Sequence, residues 1–285
     1  MNMIFYSSAD DSNQLIQTGL EKLSDYDDEL YKFYHHEESQ ITTNSCGYKL
    51  DSETRENVID WLIQIHYEQK LMPETLYLCV NIFDRFLSKS NSEVTTIEKL
   101  KLLGLASMLL ASKYEQRWAV GVYDIEYLAE YSYFPEEICV MEKRILQQLD
   151  WNLTVPTPYV FLVRNIRASL VSDEDKIVEN MACFFSELSL TQYSIMCDYK
   201  PSTIAASAVY CARIIIGRYP FWSNELKMCT GYSQEKLLCC VKVMMELCYQ
   251  TCREGRMEVF KKFSSLHQHR VSCIAQESLE EAFSS

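Results

Sequence analysis

The sequence predicts an all-α protein built from two tandem five-helix domains with one further helix before them. Its 285 residues include only 7 glycines and 6 prolines, too few for the turns of an all-β sandwich, while Leu, Glu, Lys, Met and Ala are plentiful. Apolar residues recur at helical spacing through most of the chain. Midway, Thr154-Val155-Pro156-Thr157-Pro158 sets two prolines that stop a helix and favour an extended connector, the mark of a domain boundary. A chain of this length, 48% hydrophobic and 24% charged, can bury two cores of ~100 to 150 residues each.

In chain order, residues 1–23 are polar with little periodicity and read as a flexible arm. Residues 24–50 hold an N-terminal helix and a linker: Leu30, Phe33 and Tyr34 lie at helical spacing behind acids that suit a helix start, and an irregular stretch follows from Ile41. The first domain spans 51–153. Val58, Ile59, Leu62, Ile63 and Ile65 define a helix over 53–69, and Leu76, Val80, Phe83 and Leu87 a second over 74–89. Over 96–116, Leu102, Leu105, Ala106 and Leu109 form a stripe, and Gly104, Ser107 and Ala111 let a neighbour pass close, which predicts a central buried helix. A shorter helix near 122–131 precedes one opened by Pro135, carrying Ile138, Met141, Ile145 and Leu149. The second domain, 154–265, reads as helices at 158–169, 173–190, 201–217, 222–229 and 233–252, with 266–285 as a tail. The halves correspond at an offset of 100, Trp61 with Phe161 and Ala106 with Ala206. The shared order of helices argues for duplication.

A formal charge of −13 opposes attraction to phosphate backbones and anionic lipid surfaces. The short basic cluster Lys261-Lys262, with Arg256 nearby, reads as a solvated face. No basic and apolar leader is visible at Met1 to Asn13, so the 12 cysteines point to a reducing compartment and not to a disulfide framework; Cys239-Cys240, Cys248 and Cys252 fall inside a helical Leu/Val/Met pattern and read as buried free thiols. The longest apolar run, Leu102 to Ala111, is short of the ~18 to 20 residues of a membrane span. No Gly-x-Gly, phosphate loop or nucleophile elbow occurs. His35-His36-Glu37-Glu38 cannot chelate one ion from a single helical face, because adjacent residues point apart. No cofactor, metal or catalytic residue is expected.

Two ionisable residues interrupt the apolar stripes. Lys113 follows Leu105 and Leu109 at four-residue spacing, and Glu142 follows Ile138. Each belongs at the edge of the core, where a charge leaving water must be paired. The pattern alone fits an internal salt bridge as well as a charged pair presented to a partner.

The ordered motifs Asp60-Trp61-Leu62, Asp84-Arg85-Phe86-Leu87-Ser88, Leu109-Leu110-Ala111-Ser112-Lys113-Tyr114-Glu115 and Met141-Glu142 resemble the cyclin box, and the resemblance spans about residues 24–265. Phe185-Ser186-Glu187-Leu188-Ser189-Leu190 and the run from Trp151 to Arg164 resemble plant mitotic B-type cyclins. The resemblance implies two cyclin boxes and a regulatory subunit, itself no enzyme, that forms a heterodimer with a cyclin-dependent protein kinase and activates it in cell-cycle control around G2/M, in nucleus and cytoplasm. It implies that Lys113 and Glu142 bond main-chain groups of the kinase beside its αC helix, with Leu110, Tyr114, Glu115, Leu146 and Leu153 around them and Tyr26 and Tyr31 on the N-terminal helix. Arg55 and Asp84 match a structural ion pair.

Three departures from the family pattern stand out. After Glu115 the chain reads Gln116-Arg117-Trp118-Ala119-Val120-Gly121, replacing an acid, a proline and a second acid. The arm holds no Arg-x-x-Leu destruction signal; Arg167-Ala168-Ser169-Leu170 matches it at a predicted helix end. In the patch that docks Arg-x-Leu substrates, Thr54 and Asn57 replace large apolar residues beside Val58 and Trp61, so such substrates are expected to bind weakly. The competing readings are a cyclin-fold interaction scaffold with weakened or lost kinase activation and, opposed by the charge, a DNA-binding cyclin fold.

Overall fold

The computed structural model describes residues 29–40, 51–89, 96–169, 176–255 and 257–284, and the elements among them are all helical. The arm 1–23, Tyr26 and the linker 41–50 lie outside the described residues. Helix α1 covers 29–40 and belongs to a unit of its own; within it the Tyr31 and His35 rings meet edge to face at 4.5 Å.

The first domain begins at α2 (Ser52–Glu68), whose start is fixed by the Asp51 carboxylate accepting the Thr54 N–H at 3.1 Å. Pro73 opens α3 (Pro73–Lys89), and Thr96 precedes α4 (Ile97–Glu115) as its cap. Helix α4 is buried continuously from Leu103 to Ser112, as its small-residue stripe predicts. A Cβ on Gly104 would stand 3.0 Å from a Leu62 methyl, so α2 crosses α4 where only glycine fits without displacement. Helices α5 (Val122–Leu128) and α6 (Pro135–Gln148) complete five. The α6 start is held by the Phe134 N–H donating to Glu137 Oε2 at 2.9 Å.

In the second domain α7 (Pro158–Ser169), α8 (Lys176–Thr191), α10 (Pro201–Ile215), α11 (Asn224–Thr230) and α12 (Gln234–Glu254) answer the expected series. Its central helix is α10, the counterpart of α4: Ala106 and Ala206 are both wholly buried, and Trp61 and Phe161 lie on the first helix of each domain, α2 and α7. Four elements are additional: α9 (Tyr193–Asp198), α13 (Glu258–Phe263), a 3-10 turn (Leu266–Gln268) and α14 (Val271–Ser284). The segment expected as a tail is therefore mostly helix. It buries Val271, Ala275 and Leu279, one face at four-residue spacing, and packs on α12 and α8.

Helix α2 also packs on α8, α9 and α13, and it carries the polar ties between the domains. Arg55, buried to 1% exposure, donates from Nε and Nη2 to the two Asp84 oxygens at 2.8 and 2.7 Å. Its Nη1 donates to the carbonyls of Leu190 and Thr191, at the end of α8, at 2.9 and 2.8 Å. One turn further along, the Asp60 carboxylate accepts the Glu258 N–H at 2.9 and 3.0 Å and the Val259 N–H at 3.4 Å, at the start of α13. Burial pushes the Asp60 carboxyl up, against the opposing pull of these N–H groups. Lys262 is not on the solvated face expected of it: its Nζ lies 2.7 Å from both Glu187 oxygens, and both residues are buried. Lys261 does face water, paired with Glu258 at 2.6 Å. Cys239, Cys240, Cys248 and Cys252 are free thiols, Cys239 exposed and the other three buried; Cys197, against the expectation of a chain without disulfides, is disulfide-bonded. Among the described residues no helix is long and apolar enough to cross a membrane.

Candidate partner-binding site

Helices α4 and α6 lie side by side, and the interruptions in their stripes meet. Lys113 Nζ donates to Glu142 Oε1, joining residues 29 apart in sequence. Lys113 sits in the last turn of α4, where a cation suits the helix dipole. The pair is unequal: 48% of the Lys113 side chain is exposed against 13% of Glu142. The ammonium stands at the surface while the carboxylate is shielded at the core edge.

Around this pair Leu110 is nearly buried, Leu146 and Leu153 are half-buried, and Tyr114 is exposed. The Tyr114 hydroxyl lies 2.6 Å from Thr154 Oγ1, which ties the end of α4 to the connector after α6. That connector is placed by Asp150 and Trp151, both in the left-handed region, with the Trp151 N–H returning to the Leu146 carbonyl at 2.9 Å. Glu115 closes the set; burial first and then Glu74 raise its carboxyl above the ordinary value. Of these seven residues Leu110, Lys113, Tyr114 and Glu115 lie in the last turns of α4, Glu142 and Leu146 on α6 and Leu153 just after it, whereas Tyr31 is on the separate α1. Gln116 turns away and donates from Nε2 to Thr75 Oγ1 on α3 at 2.6 Å. Gly121 precedes α5, its N–H held by Asp124 at 3.0 Å.

On α2 the expected substrate patch is only partly at the surface. Asn57 is exposed and Thr54 and Trp61 are half-buried, but Val58 is fully buried and serves the core. Thr54 Oγ1 donates to Asp51 at 3.2 Å. Lys101 Nζ stands 5.0 Å from the centre of the Trp61 ring, a cation already on the apolar surface. Sequence reasoning missed this lysine, since nothing in its local pattern links it to Trp61.

The family model for the cyclin N-terminal domain matches residues 29–154, and that for the cyclin C-terminal domain matches 156–277. The chain belongs to the cyclin family. This cyclin is 41% identical over 255 residues to G2/mitotic-specific cyclin-2 of Antirrhinum majus, covering 88% of this chain and 57% of that protein. It is 40% identical over 252 residues to G2/mitotic-specific cyclin S13-7 of Glycine max, covering 86% and 94% respectively. It is also 40% identical over 253 residues to Cyclin-B1-4 of Arabidopsis thaliana, covering 88% and 64%. The chain spans little more than half the length of most curated relatives it matches. Among solved structures, a viral cyclin from herpesvirus saimiri shares the fold, with a TM-score of 0.62 at 20% identity, over 70% of this chain and 85% of that one. The close relatives are plant B-type cyclins, as the motifs in the second domain indicate.

Proposed function

We propose that this cyclin binds a cyclin-dependent protein kinase as its regulatory subunit and activates it in cell-cycle control, in G2/M as the names of its relatives suggest. The observation that carries the reading is the Lys113–Glu142 pair at the edge of an apolar face formed by Leu110, Leu146 and Leu153. A half-exposed ammonium and a shielded carboxylate offer donors and an acceptor to main-chain groups of a helix lying on that face. The face binds the active arrangement of the kinase helix better than the inactive one, and that difference in affinity is what shifts the kinase equilibrium. ATP, magnesium and the reacting groups belong to the kinase. Residence in nucleus and cytoplasm is part of the same proposal.

A second reading, an interaction scaffold that binds kinase without full activation, draws on the segment after Glu115. Gln116 is engaged with Thr75, and no acid stands at 116, 120 or 121. Pull-down with purified kinase, followed by phosphorylation of a histone-type substrate, separates the two. Binding with activation supports the first and binding without it the second, while absence of binding overturns both.

A further inference from the structure

Outside the face described above, the segment from Trp118 to Phe134 presents five large aromatic side chains to solvent. Trp118, Tyr123, Tyr127, Tyr131 and Phe134 are between 66% and 82% exposed. Helix geometry explains the outward direction of the tyrosines. Ile125 and Ala129 hold α5 to the core, and Tyr123 and Tyr127 stand two positions away, about 200° round the helix. The helix is thus apolar inward and aromatic outward, whereas a surface helix ordinarily turns a polar face to water. The Tyr127 and Tyr131 rings meet edge to face at 5.9 Å, forming one surface. The Tyr133 hydroxyl, donating to the Glu98 carbonyl at 2.9 Å, fastens the segment to α4. Exposed aromatic side chains in mutual contact, as Tyr127 and Tyr131 are, mark an interaction site; the Trp118 ring already faces Arg117, 6.0 Å from its centre.

Charge decides what fits it. Residues 117–137 contain one cation, Arg117, against five acids, Asp124, Glu126, Glu130, Glu136 and Glu137, for a net −4. Asp124 and Glu137 are used in holding helix starts, while Glu130 and Glu136 are exposed beside the rings. A second copy of this chain would bring −4 against −4 in a molecule of −13, which opposes self-association. A cationic side chain gains from both parts of the surface, from the tyrosine faces by cation–π attraction and from the glutamates by charge.

We propose that the aromatic and acidic surface of Trp118 to Phe134 docks a lysine- or arginine-bearing segment of a protein partner. The kinase reading rests on Lys113 and Glu142 of α4 and α6; of the aromatic residues named here only Trp118 falls in the segment after Glu115 on which its second form draws. The test is fluorescence anisotropy of a labelled octapeptide alternating proline with lysine or arginine, titrated with the full chain. Tyr123→Ser/Tyr127→Ser/Tyr131→Ser should weaken binding at least tenfold. Glu130→Gln/Glu136→Gln should weaken it about threefold, and raising salt should weaken the wild type as expected for charge-assisted docking. Should the triple variant melt early, Tyr127→Ser alone carries the test, with an expected loss of about threefold. Equal affinity of the wild type and the folded tyrosine variants would overturn the proposal. So would equal binding of a peptide with glutamate in place of its cations, or a wild-type dimer in sedimentation that the tyrosine substitutions dissolve.

Discussion

Replacing Arg55 by alanine removes four hydrogen bonds at once: two to Asp84 and one each to the carbonyls of Leu190 and Thr191. Loss of one member of a buried ion pair costs about 3 to 5 kcal/mol, because the remaining charge stays behind unpaired. Asp84 is 16% exposed, so water reaches it and the pair itself falls toward the lower end. Two carbonyls at the end of α8 lose their donor as well, which adds about 1 to 3 kcal/mol for each that water cannot reach. Taken together the expected loss is at least about 5 kcal/mol, and at roughly 2 to 4 °C per kcal/mol for a chain near this size the midpoint falls by about 10 to 20 °C. Urea unfolding followed by far-ultraviolet circular dichroism measures the loss, and hydrogen exchange locates it at α2, α3 and the end of α8. Arg55→Lys should recover less than half, since an ammonium cannot reproduce the planar fork that serves a carboxylate and two carbonyls together. A folded Arg55→Ala protein less than 1 kcal/mol weaker than the wild type would refute the reasoning.

His66 is buried, its Nε2 lies 3.0 Å from the Met72 carbonyl, and burial first and then Lys262 lower its pKa from 6.5 to about 4. The folded state therefore resists protonation more than the unfolded chain, so this group leaves stability intact above pH 6.5 and reduces it as pH falls toward 4, by about 3 kcal/mol in all. Unfolding free energies of wild type and His66→Gln should diverge over that window, and parallel pH profiles would contradict the assignment. Lys113→Ala leaves Glu142 without its cation; because Lys113 is half exposed, screening keeps the expected loss of kinase affinity to about 1 to 3 kcal/mol, roughly 5- to 150-fold. Undiminished kinase binding by the folded variant, read by surface plasmon resonance, would remove Lys113 from the interface. Thr54→Met/Asn57→Ile should strengthen docking of an Arg-x-Leu peptide by about an order of magnitude, since each large apolar side chain contributes ~1.5 to 3 kcal/mol when fully buried. Calorimetric titration giving equal affinities for variant and wild type would dismiss Thr54 and Asn57 as determinants of docking.

The parts of the fold legible in the sequence are those encoded locally. Pro73, Pro135, Pro158 and Pro201 stand at the starts of their helices. The small-residue stripe from Gly104 to Ala111 identifies α4 as the central helix of its domain because only close packing requires it. Helix α14 escaped because its buried face is built from Val271, Ala275 and Leu279, a sparse stripe that becomes persuasive only beside α12. The two six-residue helices, α9 and α13, are too short for a period to show. Lys113 and Glu142 were visible as charges out of place in apolar stripes, and their meeting follows once α4 and α6 are neighbours. Asp60 gave no such sign: it lies in a recognisable motif, yet its partners are 198 and 199 residues away. Lys262 looked like a surface cation for the same reason, with Glu187 lying 75 residues off.

The charges that α2 lends to its neighbour also carry information about direction. A helix end bearing free carbonyls is electronegative, and one bearing free N–H groups is electropositive. Arg55 meets the first kind and Asp60 the second, five positions apart on a single rigid rod. If the second domain were docked end over end, each charge would face the wrong pole, and two favourable contacts would become two repulsions. The arrangement acts as a polarised key that distinguishes the native seating from its reverse, which apolar packing, lacking a sign, cannot do. Exchanging the two residues, Arg55→Asp with Asp60→Arg, preserves composition and net charge while inverting the key, and so separates the value of the charges from the value of their order.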